Sequence, residues 1–108
     1  MKGGIVLNEK LVERTVYIIA NAGDSRSCSM AAMECAKSGD FEEAHNLLTE
    51  SSEALHRAHV EHTQLLTEDA KGENIQVSLL LVHASNHLSV AEVTLDFVRE
   101  IIELYERR

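Results

Sequence analysis

Proline and tryptophan are absent from this chain of 108 residues, glycine occurs five times, cysteine twice, and the aromatic residues are two Phe and two Tyr. Without proline and with so little glycine, the chain lacks the turn chemistry that an all-β fold consumes. Gly3 and Gly4 precede Asn8, and Gly72 falls in a polar connection, so the middle of the chain is nearly free of helix breakers. No apolar run approaches the roughly 20 residues of a membrane span, and the N-terminus has no apolar core of signal-peptide length. Cys28 and Cys35 are separated by seven positions on one expected helix, which puts their backbones about 10 Å apart, too far for a mutual disulfide. Two unpaired thiols suit a reducing compartment and predict a cytoplasmic protein. Basic charge is scarce: ten Lys and Arg stand against eighteen Asp and Glu, a formal net charge of −8. That excludes the basic surface a nucleic-acid partner requires and favours encounter with a basic protein surface. The same excess also keeps a small protein in solution.

What is present is helical. Apolar residues make up 44% of the chain, which excludes general disorder, and the length fits one domain, residues 1–108, with one core. Helix 1 is expected from Asn8, a capping residue, to Lys37, with Leu11, Val12, Val16, Ile18 and Ile19 on its apolar face and Gly23 as a place where it could bend. Gly39 is suited to the left-handed conformation at its end, and Asp40 with Glu43 forms the next start signal. Helix 2 then runs from Asp40 to about Ala70. Phe41, Leu48, Leu55 and His62 form one row of sevens, and Ala44, Ser51, Ala58 and Leu65 its companion. Lys71 to Asn74 makes a short connection. Helix 3 starts between Asn74 and Ser78 and continues to the C-terminus, with the rows Val77, Ala84, Ala91, Val98, Tyr105 and Leu81, Leu88, Leu95, Ile102. Leu79, Leu80 and Val82 fall outside both rows. Three helices this short cannot bury a helix on every side, so the surplus face should meet other subunits. The expected fold is therefore all-α: an antiparallel up-down-up three-helix bundle that oligomerises through helix 3.

The candidate chemistry lies in six histidines. His56, His59 and His62 are spaced by three on helix 2, and His83 and His87 by four on helix 3, spacings that put side chains on one side of a helix as metal chelation needs. Glu42-x-x-His45 and Glu53-x-x-His56 match half of a di-iron pattern, but that pattern requires its motifs on two helices and both lie on helix 2. His45 and His56 read as surface residues. His59 and His62 could be a half-buried hydrogen-bonded pair or could approach helix 3. His83 lies in the most apolar stretch of the chain, Val77 to Leu88. The side chain of a free histidine has a pKa of about 6.5, so an unperturbed imidazole is largely uncharged and nucleophilic at neutral pH. It is either a satisfied core residue or one kept for chemistry, and spacing alone leaves both open.

The residues themselves carry a resemblance. Val77-Ser-Leu-Leu-Leu-Val-His83-Ala-Ser-Asn-His87-Leu88 closely resembles the V-S-L-x-L-V-H-A-Q-D-H-L segment of the lactose/cellobiose-type enzyme IIA of the bacterial sugar phosphotransferase system. Asn21-Ala-Gly-Asp-Ser-Arg-Ser27 is similar to its N-x-G-x-A-R-S, Gly39 to Ala44 to its G-D-F-x-x-A, and Ala58-His59 through Thr63 to its A-H-x-x-Q-T. The similarity spans about the whole chain, in order.

The resemblance implies a three-helix protomer assembled as a nine-helix homotrimer. It implies a phosphocarrier that takes a phosphoryl group from HPr and passes it to a cysteine of a IIB protein serving a disaccharide permease, so that the membrane is met only through that permease. The phosphorylated residue would be His83, with His87, His59 and His62 as candidates for the phosphoryl pocket and no cofactor. The chain also departs from the family. Ser85-Asn86 stands for Gln-Asp, His62 for Gln, and Ser89-Val90 for Met-Thr. In related trimers that Asp lies near the three-fold axis, where it can hold a metal ion. Three neutral Asn86 amides bind a divalent cation far more weakly, so no metal of that kind is expected. Two other classes compete: a trimeric interaction or regulatory module with weakened transfer, and a metal-binding bundle using the clustered histidines. A two-component phosphotransfer domain is disfavoured, because its usual Lys and Gly after the histidine are missing.

Overall fold

The computed structural model describes residues 8–108, so the expectation that the N-terminus carries no export signal lies outside the described residues. Helix α1 spans Glu9–Lys37, α2 spans Phe41–Glu68, a π-turn follows at Asp69–Glu73, and α3 spans Leu79–Glu106. Each helix start has the local chemistry a start demands. Asn8 Oδ1 accepts from the Lys10 and Leu11 amides at 3.0 and 3.2 Å. Asp40 Oδ1 accepts from the Glu43 amide at 3.2 Å, and Ser78 Oγ from the Leu81 amide at 3.1 Å. Gly39 takes φ +82°, which only glycine adopts freely, and turns the chain from α1 into α2.

The core fixes the topology. Ile18 and Ala22 of α1 pack with Ala58 and Leu65 of α2 and with Ala84, Leu88 and Ala91 of α3. Farther on, Ala32 and Ala36 pack with Ala44 and Leu48 and with Leu95, Val98 and Ile102. Early α1 therefore meets late α2 and early α3, which is the up-down-up arrangement. No strand occurs among the described residues.

Between these two apolar halves lies a polar layer. Ser25, Ser29 and Ser51 have no measurable exposure. Ser51 Oγ donates to the Ser25 carbonyl at 2.8 Å and lies 2.7 Å from Ser29 Oγ and 3.0 Å from Ser25 Oγ. With its own proton committed to the carbonyl, Ser51 accepts from the other two hydroxyls. A buried hydroxyl without a partner is costly, so this layer ties α1 to α2 in one register. At one end of the pair, Arg14 makes a two-pronged contact to Glu68 at 2.9 and 2.7 Å, and its Nε donates to Glu61.

Three details bear on the sequence reading. Val16, placed on the apolar face of α1, is half exposed, while Thr15, Asn21, Ser25 and Ser29 are inside. These polar groups are tolerated because each is bonded locally or across the layer: Thr15 Oγ1 donates to the Leu11 carbonyl at 2.6 Å, and Asn21 Nδ2 to that of Tyr17 at 2.9 Å. Gly23 does not interrupt α1. Helix α3 starts at the Ser78 limit of its expected window, because Asn74 at φ 52° ends the π-turn and Ser78 takes the cap. Val77, placed in a helical row, accordingly precedes the helix and is exposed.

Replacing Ser51 with Ala removes the acceptor of the Ser25 and Ser29 hydroxyls and the second bond to the Ser25 carbonyl. We expect Ser51→Ala to lower stability by about 1–3 kcal/mol, measured by urea unfolding at fixed protein concentration; an unchanged midpoint would show that the layer contributes nothing.

Candidate functional site

Helix α3 carries apolar residues on two faces. One face, Ala84, Leu88, Ala91, Leu95, Val98 and Ile102, is buried in the bundle. On the other, Leu79, Val82, Val90, Val93, Phe97 and Leu104 are exposed, Leu79 at 86% and Phe97 at 65%. From Asn86 the exposed face steps through Val90, Val93, Phe97, Glu100 and Leu104, alternating four and three, which is a heptad seam. The sequence reading found only the first part of this stripe; the same spacing would have revealed the rest. Asn86 is the exposed amide within it.

His83 and His87 sit on one flank of that stripe. Four residues apart on one helix, they are neighbours by geometry. Their Nε2 atoms are 3.0 Å apart, the ring centroids 4.4 Å apart and the rings nearly perpendicular at 82°. His83 is exposed and His87 half-buried. A nitrogen-to-nitrogen hydrogen bond needs one proton and one lone pair, so at most one of these Nε2 atoms carries hydrogen. With the proton on His87, His83 Nε2 presents a lone pair and His83 holds its own proton on Nδ1. The ring is not walled in by its bundle.

The helix 2 histidines lie elsewhere. Successive helical residues turn by about 100°, so Ser85 is roughly 200° around α3 from His83. Ser85 Oγ is 2.9 Å from His62 Nε2. The two form the edge of an open apolar groove of about 270 Å³ with Leu65, Leu66, Ile75, Leu81 and Val82. His59 lines a separate cleft with His56, Glu92 and Asp96, and His45 pairs with Glu106 at 2.9 Å. Of the four residues proposed for the site, the protomer brings together His83 and His87 and leaves His59 and His62 on the opposite flank. Ser85 as the partner of His62 was not found from sequence.

Burial, and then the neighbouring His59, lowers the pKa of His62 from its ordinary value of 6.5. Burial and nearby carboxylates push the Cys28 and Cys35 thiols up, so neither is a ready nucleophile. Among the described residues, no group of three or more His, Cys, Asp or Glu is arranged to hold a metal ion. No described helix is long and apolar enough to cross a membrane.

Known proteins match the chain in sequence and in fold. A profile of the lactose/cellobiose-specific IIA subunit of the PTS system matches residues 13–106. The lichenan-specific phosphotransferase enzyme IIA component of Bacillus subtilis is 43% identical over 101 residues, covering 94% of this chain and 92% of that protein. The crystal structure of the cellobiose-specific enzyme IIA of Bacillus anthracis superposes with a TM-score of 0.87 at 32% identity, over 95% of this chain and 93% of that one. The IIA(chitobiose) chain of a complex with HPr from the Escherichia coli phosphotransferase system gives 0.77 at 39% identity, over 88% and 92%.

The lowered pKa of His62 has a signed consequence. The folded chain holds this imidazole neutral, so its contribution is complete above about pH 6.5 and is lost as pH falls through the folded value. Acidification from pH 7.5 to 5 should therefore lower the Tm of the wild type more than that of His62→Gln. Parallel loss in the two proteins would overturn this assignment.

Proposed function

The chain belongs to the lactose/cellobiose-specific IIA family of the sugar phosphotransferase system, and from that premise we propose that it is a cytoplasmic, single-domain phosphohistidine carrier for disaccharide uptake. It takes the phosphoryl group from HPr onto His83 and gives it to a cysteine of the cognate IIB protein. The observation that carries this reading is the His83 ring itself: exposed, on a rigid helix, with Nε2 held against His87 Nε2 at 3.0 Å.

The step is an in-line displacement. The His83 Nε2 lone pair forms a bond to phosphorus as the bond to the donor's leaving atom breaks, and that atom departs with the bonding pair. His87, whose Nε2–H first pointed at the lone pair, then turns its proton to a phosphoryl oxygen. Delivery reverses the logic: the thiolate sulfur of IIB bonds phosphorus and His83 recovers its lone pair. No cofactor enters either half, and no metal is required.

The exposed stripe of α3 supports a homotrimer. A heptad seam is complemented by copies of itself, and three such seams around one axis give nine helices with the apolar residues inside. Asn86 then sits at the seam as a neutral amide, and its own three copies do not repel one another by charge. A similar chain occurs in a complex with HPr, and this chain's net charge of −8 suits a partner with a basic face.

Incubation with enzyme I, HPr and phosphoenolpyruvate should place one acid-labile phosphate on each wild-type chain and none on His83→Gln; labelling of the variant would end the proposal. In sedimentation equilibrium, Phe97→Asp should convert trimer to monomer with helicity retained, and a variant that remained trimeric would exclude α3 as the seam.

A further inference from the structure

Arg57 is a cation in an acidic chain, yet it takes no carboxylate partner among the described residues. Glu53 and Glu61 stand four residues to either side of it on α2, the spacing at which a helix pairs opposite charges. Glu61 is taken by Arg14 Nε, and Glu53 lines a cleft with Arg99 on the α3 side. What holds Arg57 instead is a neutral amide: its Nε donates to Asn21 Oδ1 at 2.8 Å. Asn21 is only 8% exposed, and its own Nδ2 donates to the Tyr17 carbonyl at 2.9 Å, so the amide is fixed at both ends. The guanidinium is thereby anchored at Nε, while its two Nη groups have no hydrogen-bond partner among the described residues.

Arg57 borders an open cleft of about 440 Å³ between α1 and α2, a volume ordinary for a small-molecule site. Tyr17 and Val60 give the cleft an exposed apolar wall, and His56 adds an imidazole. Arg14 and Glu61 at its edge neutralise one another, which leaves Arg57 and Glu13 as its open charges. No residue of α3 lines it, so it lies apart from His83 and from the α3 seam.

This lining is selective. A bare anion meets Glu13 as well as Arg57, and a bare cation meets Arg57 as well as Glu13. A phosphate on a polyhydroxyl ring uses both. The guanidinium fork matches two phosphate oxygens, a carboxylate accepts from hydroxyls, and the carbon-bound hydrogens of a sugar face rest on the negative face of an aromatic ring. We propose that the cleft binds a phosphorylated sugar, with Arg57 on the phosphate, Tyr17 under the ring and Glu13 accepting from a ring hydroxyl. Binding needs neither His83 nor a partner protein, so it does not rest on the carrier reading.

Amide NMR of the full chain, titrated with glucose 6-phosphate, tests the site. Signals of Tyr17, Asn21, Arg57 and Val60 should move to saturation, whereas glucose and inorganic phosphate, added separately, should bind far more weakly. Arg57→Gln changes an exposed position and should weaken binding roughly tenfold to a hundredfold, with helicity retained. Arg57→Lys should recover only part of the loss, because an ammonium keeps the charge but not the fork. Tyr17→Ala should reduce glucose 6-phosphate to the affinity of inorganic phosphate. The site is ruled out if millimolar glucose 6-phosphate gives no saturable shift, if inorganic phosphate binds as well, or if Arg57→Gln responds like the wild type. His83→Gln should bind as the wild type does; loss of binding there would put the ligand at the histidine and end the proposal, whatever the outcome of phosphorylation from HPr.

Discussion

Helix α3 has two apolar faces and one bundle to bury them in. Its Ala84, Leu88, Ala91 and Leu95 row goes to the three-helix core, and the stripe from Leu79 to Leu104 goes to water in the isolated protomer. At about 25 cal/mol per Å² of apolar surface, six large exposed side chains are a strong drive to associate, and a long helix with two such faces can satisfy both only by standing between a core and a neighbour. The histidine pair lies on the flank between those faces. Burial behind it holds α3 without closing over the ring, so one helix gives the imidazole both a rigid mount and access to solvent.

The bundle that holds α3 in place is built largely from small residues. Ala22, Ala32, Ala36, Ala44, Ala54, Ala58, Ala84 and Ala91 are all buried, which lets helices approach closely but provides little side-chain shape to define register. The serine layer and the Arg14 contact to Glu61 and Glu68 supply what alanine cannot, because hydroxyls and carboxylates have directional partners. Register matters here beyond stability. His62 meets Ser85 only if α2 is neither advanced nor retarded by a turn against α3.

Most of this was legible in the chain itself. Caps at Asn8 and Asp40 and the turn at Gly39 are short-range signals, so helix number and order follow from local chemistry, and the rows Ala84–Ala91–Val98 and Leu88–Leu95–Ile102 give the buried face of α3. The polar interior of α1 was not legible: Thr15, Ser25 and Ser29 look like surface residues until their partners are known, and those partners sit on a preceding turn or on α2. Val77 was misplaced because periodicity continued past a boundary that the Ser78 cap decides. For the site, His83 and His87 are one turn apart and their pairing follows from spacing. His62 and Ser85 are 23 residues apart in sequence, and nothing but the packed fold brings them together.

A carrier differs from most enzymes in that its intermediate must be easy to lose. Whatever stabilises a phosphoryl group on His83 more than in the transition states on either side deepens a well and slows delivery. An arginine fork on that phosphate would make charge-assisted bonds about twice as strong as those of neutral donors. The His83 ring is paired instead with a second imidazole. Neutral donors follow the charge as it moves and release it without a large desolvation term. The same reasoning accounts for the acidic balance of the chain: attraction to a basic partner speeds encounter, whereas the chemistry at His83 gains from having no fixed cation of its own. On the carrier proposal, recognition and retention fall to different parts of the surface, and that separation would let one histidine serve two partners in turn.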